Sequence, residues 1–186
     1  KPMNIRKSTM DDLDILLHLY ENARTFMSSH GNPVQWGTTY PEKELIISDI
    51  KSGHSYVCEE HTKIIATFFY HKADDPDYNE IYEGDWLNSM PYGVVHRITS
   101  DGTIHGTASF CLEWALKQCG NLKIDTHRDN SVMQHLLKKN GFSYCGLVHL
   151  QDGLPKDSLS PQVIQQKIQP LFFSTTAVSF FISFLY

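Results

Sequence analysis

Between Gly93 and Gly146 the chain sets a β-rich run, Gly93 to Thr99, directly before a glycine-bearing turn, Asp101-Gly102-Thr103-Ile104-His105-Gly106, and a helix starting near Thr107. A strand that delivers a turn onto a helix N-terminus gathers unpaired backbone N–H groups and the positive end of the helix dipole at one spot, which suits a pyrophosphate. Gly102 and Gly106 leave the backbone bare for close approach. Taken alone, the same pattern also describes an ordinary connection. His96 lies within the strand, where alternation sets Val94, His96 and Ile98 on one face and Val95, Arg97 and Thr99 on the other. With a reference pKa of about 6.5, His96 is either a general base or a histidine hydrogen-bonded inside a sheet. His127, close to Asp125 and Asn130, reads as a local hydrogen bond, a surface residue or a second polar group of the same site.

The elements that must position these groups follow from periodicity. Met3 to Lys7 is a short strand. Thr9 with Asp12 three residues on caps a helix whose apolar face is Leu13, Leu16, Leu17, Tyr20, Ala23 and Met27. A turn-rich loop follows, and Pro41 opens a second helix to about Lys51. Ser55 to Glu60 and Ile64 to His71 form a hairpin. Lys72 to Pro91 is a long acidic and aromatic loop, of a length that compact domains reserve for function or disorder. Thr107 to Gln118 is a helix, Leu122 to Thr126 a strand, Ser131 to Asn140 a helix closed by Gly141, and Phe142 to Leu150 a strand ended by Gln151-Asp152-Gly153. The order is β, α, α, β, β, β, α, β, α, β.

The 186 residues suit one domain, and the net charge of −5 gives no footprint for nucleic acid or for an anionic membrane. Cys58, Cys111, Cys119 and Cys145 show neither a CxxC pair nor metal-ligand spacing, so four reduced thiols in a cytoplasmic protein are expected. The first residues lack the apolar core of a signal peptide. The last sixteen, Leu171 to Tyr186, carry no charge. They read as buried strands, as a membrane-associated end too short to span, or as a segment foreign to the fold.

The run VVHRITSDGTIHGTASFCLEWALKQ, followed by LKIDTH and RDNSVMQHLLKKNGFSYCG, resembles the GNAT superfamily of acyl-CoA-dependent N-acetyltransferases. Thr103 to Ala108 fits that family's pyrophosphate loop, (Gln/Arg)-x-x-Gly-x-(Gly/Ala), from its Gly onward, with Thr103 where Gln or Arg is preferred. Asn130 and Gly141-Phe142 fit the later part. The resemblance implies an α/β fold of the α+β kind: a central mixed, mostly antiparallel sheet flanked by helices over residues 1–153, with 154–186 a divergent tail in which no closing strand is evident. It implies acetyl-CoA as co-substrate and no metal. The cofactor contacts would be Ile98 and Ser100 on the strand, Ile104, His105, Gly106, Thr107, Ala108 and Ser109 at the helix start, and Asn130.

In that family the base often projects from the cofactor strand, which favours His96, and many members place an acid Tyr four residues before the Gly of Gly-Phe. Here that position is Leu137. Trp36, Tyr40, Tyr78 and Trp86 are the expected acceptor wall or else a lid packed on the core, and Asp77, Glu80, Glu83 and Asp85 could draw an ammonium group or form its solvated face. The implied reaction is acetyl transfer to a primary amine of a small molecule or peptide. The missing Tyr argues instead for an acyl-CoA-binding module with little turnover. A homodimer through the apolar tail is the remaining partner expectation.

Overall fold

The computed structural model describes residues 2–149 and 162–168. Strand β1 (Asn4–Lys7) leads through a single 3-10 turn into helix α1 (Leu13–Ser29). The Asp12 carboxylate accepts the Thr9 backbone N–H at 2.8 Å, the cap that the sequence predicts. Helix α2 (Lys43–Lys51) starts two residues after Pro41, with Glu42 as its N-cap, so Pro41 stands just outside the helix it was expected to open. Strands β2 (Ser55–Glu60) and β3 (Lys63–His71) turn at His61 and Thr62, both at positive φ, as a tight hairpin requires. Then come β4 (Gly93–Ser100), α3 (Thr107–Cys119), β5 (Asn121–His127), α4 (Ser131–Lys139), β6 (Ser143–Val148) and β7 (Gln162–Ile168).

The sheet runs β1-β2-β3-β4-β5-β7-β6, and only the β4–β5 pair is parallel. Neighbouring strand residues point to opposite faces. Val57 joins Leu16, Ile46 and Trp36 under α1 and α2, whereas Cys58 joins Phe68, Leu112 and Leu137 under α3 and α4. The helices therefore flank the sheet two to a face, as expected. All four cysteines are free thiols.

Strand β7 corrects the expectation that nothing beyond Leu154 closes the sheet: it inserts between β5 and β6, pairing with β5 along its whole length and with β6 from Gln162 to Gln166. The tail Leu171 to Tyr186 and the turn Gln151 to Gly153 lie outside the described residues.

The segment between β3 and β4 is laid over the α1/α2 face of the sheet at its β4–β7 end, where Tyr78, Tyr92, Ile81 and Trp86 cover Val94, Cys145 and Ile164. Tyr82 exchanges both backbone hydrogen bonds with Leu147 of β6, at 2.8 Å each. Next to that bridge, a Cβ on Gly84 would run into the Cys145 carbonyl, so only glycine lets the segment lie flat. Gly84→Ala should cost about 3 kcal/mol by the usual scale of overpacking. A urea midpoint equal to the parent's would show that the segment is not held there.

Candidate functional site

The two central strands part company early. Beyond the rungs Gly93 with Leu122 and Val94 with Lys123, β4 and β5 make no further pairs. On its other edge β4 carries an extra residue: Phe69 faces His96 and Thr67 faces Thr99, so Phe68 alone opposes both Arg97 and Ile98. Arg97 absorbs the irregularity at a φ of 52°. A bulge of this kind bends the strand and re-aims side chains, which corrects the face assignment read from simple alternation. Arg97 now shares the His96 face, its guanidinium 2.7 Å from Asp49 Oδ2 and stacked over Phe69 at 4.9 Å. Ile98 turns to the opposite face and packs with the α3/α4 core.

On the His96 face the open end of the split holds a charged cluster. His96 Nε2 lies 2.8 Å from Asp75 Oδ2 and Nδ1 lies 3.4 Å from Asp125 Oδ1. Tyr78, a buried residue of the long segment, donates its hydroxyl to Asp125 Oδ1 at 2.5 Å. Burial by itself would lower the imidazole pKa, but hydrogen bonds to Asp125 and Asp75 outweigh it and hold His96 at about 9. For Asp75, burial pushes upward, and the His96 hydrogen bond and charge overcome it and keep the carboxyl below its ordinary range. At neutral pH the cluster is thus an imidazolium clasped by two carboxylates. Asp75 was not among the acids singled out in the sequence. The signal was there: Asp75 precedes Pro76, the usual pairing of N-cap and first helical residue, and its side chain caps that one-turn helix by accepting the Asp77 N–H at 3.0 Å.

At the far end of β4, Gly106 sits at φ 87° as the N-cap of α3, and no side chain caps the helix. The first intrahelical bond runs from the Phe110 N–H to the Gly106 carbonyl. The Thr107, Ala108 and Ser109 amides therefore precede that bond, next to Gly102 and Gly106, where a Cβ would meet nothing within 4 Å. The Thr107 hydroxyl is turned inward to the Ile104 carbonyl, Ser109 accepts from Asn140, and His105 is exposed. Ser100 ends β4 opposite Ala66. At the end of β5 the Thr126 hydroxyl and His127 Nε2 are buried without a hydrogen-bond partner. Nδ1 of His127 accepts the Asp129 N–H at 3.2 Å, which is the expected local bond and leaves the proton on Nε2.

Asn130 is more occupied than expected. Its carbonyl caps α4 by accepting the Met133 N–H, and its amide donates to Gln35 at 2.9 Å. Of the expected acceptor wall, Tyr40 is partly exposed and its hydroxyl receives Arg97 Nη1 at 3.2 Å, while Tyr78 supports Asp125. Trp36 is instead a core residue, buried edge-on against Tyr20. Trp86 packs on Tyr78 and over Lys123, away from His96. Leu137, in the place of the acid, is wholly buried in the α3/α4 core.

No protein-family model and no curated protein sequence matches the chain. Solved structures do. A GNAT-family acetyltransferase from Streptococcus agalactiae superposes with a TM-score of 0.79 at 29% identity, covering 90% of this chain and 96% of that one. This chain shares the fold of the GNAT-family acetyltransferases. Two more distant structures share the fold: a GNAT-family acetyltransferase from Bacillus cereus (TM-score 0.58, 19% identity, 91% of this chain and 99% of that one) and a ribosomal-protein-alanine N-acetyltransferase from Brucella melitensis (0.57, 17%, 89% and 99%). Among the described residues of this chain no helix is long and apolar enough to cross a membrane, and no group of three His, Cys, Asp or Glu side chains could hold a metal ion.

Proposed function

We propose that the chain transfers an acetyl group from acetyl-CoA to a primary amine by direct attack. The observation that carries this reading is the parting of β4 from β5 after Val94 and Lys123, with the His96 cluster on one face of the gap and the uncapped start of α3 at its end. The orphaned Thr126 hydroxyl and His127 Nε2 fit a site built for a polar molecule, since buried polar atoms are nearly always paired.

Acetyl-CoA supplies the activated acyl group. The free backbone edge of β4 at Ile98 and Ser100 would hold the pantetheine arm, and a backbone N–H there would polarise the thioester carbonyl. The bare turn and first amides of α3, from Ile104 to Ser109, would hold the pyrophosphate. For Asn130 to assist, its amide would have to exchange Gln35 for the pantetheine arm. Asp75 and Asp125 give the acceptor side a negative wall that draws an ammonium group, and His96 takes the proton from it. The acceptor is a small-molecule or peptide amine, and the free thiols suit a cytoplasmic, reducing setting.

Gly106→Val is a poor test of the pyrophosphate site, because a β-branched residue at φ 87° is strained whatever binds. Ala108→Asp is better. A carboxylate in the first turn stabilises the helix by a few tenths of a kcal/mol while repelling an anion. Calorimetry should show acetyl-CoA affinity down at least about tenfold with no loss of melting temperature. Unchanged affinity would remove the site from α3.

The buried Leu137 supports a second reading, a module that binds acyl-CoA with little turnover. Thiol release across amines, polyamines and peptide N-termini decides between them. Release with at least one acceptor supports transfer, and tight binding with none supports the module.

A further inference from the structure

Lys123 projects from β5 on the same face as Asp125 but toward the paired end of the strands, away from the split. It is only 4% exposed. Its Nζ lies 3.6 Å from the Trp86 ring centre and 3.8 Å from that of Tyr92, and among the described residues it has neither a hydrogen bond nor a carboxylate within ion-pair distance. Buried lysines are rare without a partner. This one lies in the wall of a cavity of about 500 Å³ that opens to solvent, with Asp74, Asp85 and Asn88 among the other lining residues.

We propose that Lys123 is a reactive amine and that the cavity beside it admits small uncharged aldehydes, which condense with Nζ to form an imine. The Nζ lone pair attacks the aldehyde carbon and the carbonyl oxygen takes up a proton. The carbinolamine then loses water, so that R–CHO and the lysine amine give R–CH=N–Lys and H₂O. The aromatic sandwich orients a flat aldehyde. The two wall carboxylates exclude anionic carbonyl compounds and can shuttle the protons of dehydration.

The groups facing Nζ are Asp74 and Asp85 from the long segment, Tyr92 before β4 and the Cys145 thiol of β6. Burial lowers the amine to about 8, only partly offset by Cys145 and Asp74. A surface lysine, near 10.4, is about 0.04% free amine at pH 7, against roughly a tenth for Lys123.

The test uses the full chain, benzaldehyde and cyanoborohydride at pH 7.5, which reduces the imine to a stable benzylamine, followed by peptide mapping. Lys123 should be labelled at least about tenfold faster than the exposed Lys43 and Lys51, and glyoxylate, smaller but anionic, should show no such preference. Lys123→Met should lose the fast-labelling site. Labelling of Lys123 no faster than the surface lysines overturns the proposal, as does equal preference for glyoxylate or a fast mass gain that persists in Lys123→Met.

Discussion

His96→Ala should lower kcat/KM at pH 9 by about 10² to 10⁴, the usual contribution of a positioned base, and should flatten the acidic limb of the pH profile. The midpoint of that limb should lie near 9, not near 6.5, because two carboxylates hold the imidazole protonated. The rate of the parent therefore climbs about tenfold per pH unit from 7 toward 9. Any acceptor amine adds a rising limb of its own, so the profile is taken with a peptide N-terminus, whose limb ends at about 7.7 to 8.0 and leaves the one near 9 to the enzyme. Asp75 does not have to touch the acceptor to matter. It is a positioning residue, and Asp75→Asn should pull the midpoint down by at least about one pH unit while leaving acetyl-CoA affinity alone. A limb that stays at 9 in Asp75→Asn, or persists in His96→Ala, would transfer the role of base away from His96.

The elements of this fold were legible wherever local signals agreed with the tertiary structure. Thr9 with Asp12, the apolar stripe of α1, and the glycine after α4 each name an end or a face that packing then uses. Strand β7 was not legible. Its sequence, QVIQQKI, is polar at Gln166, a position that the sheet buries. Gln166 is wholly buried there, its amide nitrogen donating to Asn121 at 2.6 Å and its carbonyl accepting the Leu87 N–H at 2.9 Å. Hydropathy cannot reveal a buried glutamine whose partners are about 45 and 79 residues away, because its burial is favourable only once those partners are in place.

The site was half legible for a related reason. His96 and the α3 turn are local features, so spacing found them. The pairing of His96 with Asp75 and Asp125 depends on how a 20-residue segment folds back over the sheet, and the turn of Arg97 toward Asp49 depends on one extra residue in β4. A bulge leaves no mark in an alternating pattern read from one strand alone. Trp36 shows the converse error: an aromatic residue in a loop looked like a pocket wall, and the loop carries it into the core instead.

The summed contribution of His96 and Lys123 to stability should pass through a minimum near pH 8.5, about 1.5 kcal/mol below its value at pH 6, on a background that the buried thiols of Cys111, Cys119 and Cys145 lower above pH 9. Two buried cations of opposite tendency produce it. His96 is held above its ordinary 6.5 at about 9, so its stabilising contribution is complete below pH 6.5 and is lost as pH rises through 9. Lys123 is held below its ordinary 10.5 at about 8, so burying its charge penalises the fold below pH 8, and the penalty is relieved between pH 8 and 10.5. Each accounts for about 3 kcal/mol over its full window. Because the windows overlap, the falling His96 limb and the rising Lys123 limb meet near pH 8.5. Urea unfolding at pH 6, 8.5 and 10 measures the dip. In Lys123→Met the rising limb should vanish, leaving a monotonic loss of at least about 3 kcal/mol from pH 6 to pH 10. In Asp75→Asn the falling limb should shrink, because Asp125 alone then holds the imidazole, so that the dip becomes shallower. A parent protein whose stability is flat across the three pH values, or a Lys123→Met profile that still recovers above pH 9, would mean that these two side chains do not hold their charges in the balance that the geometry dictates.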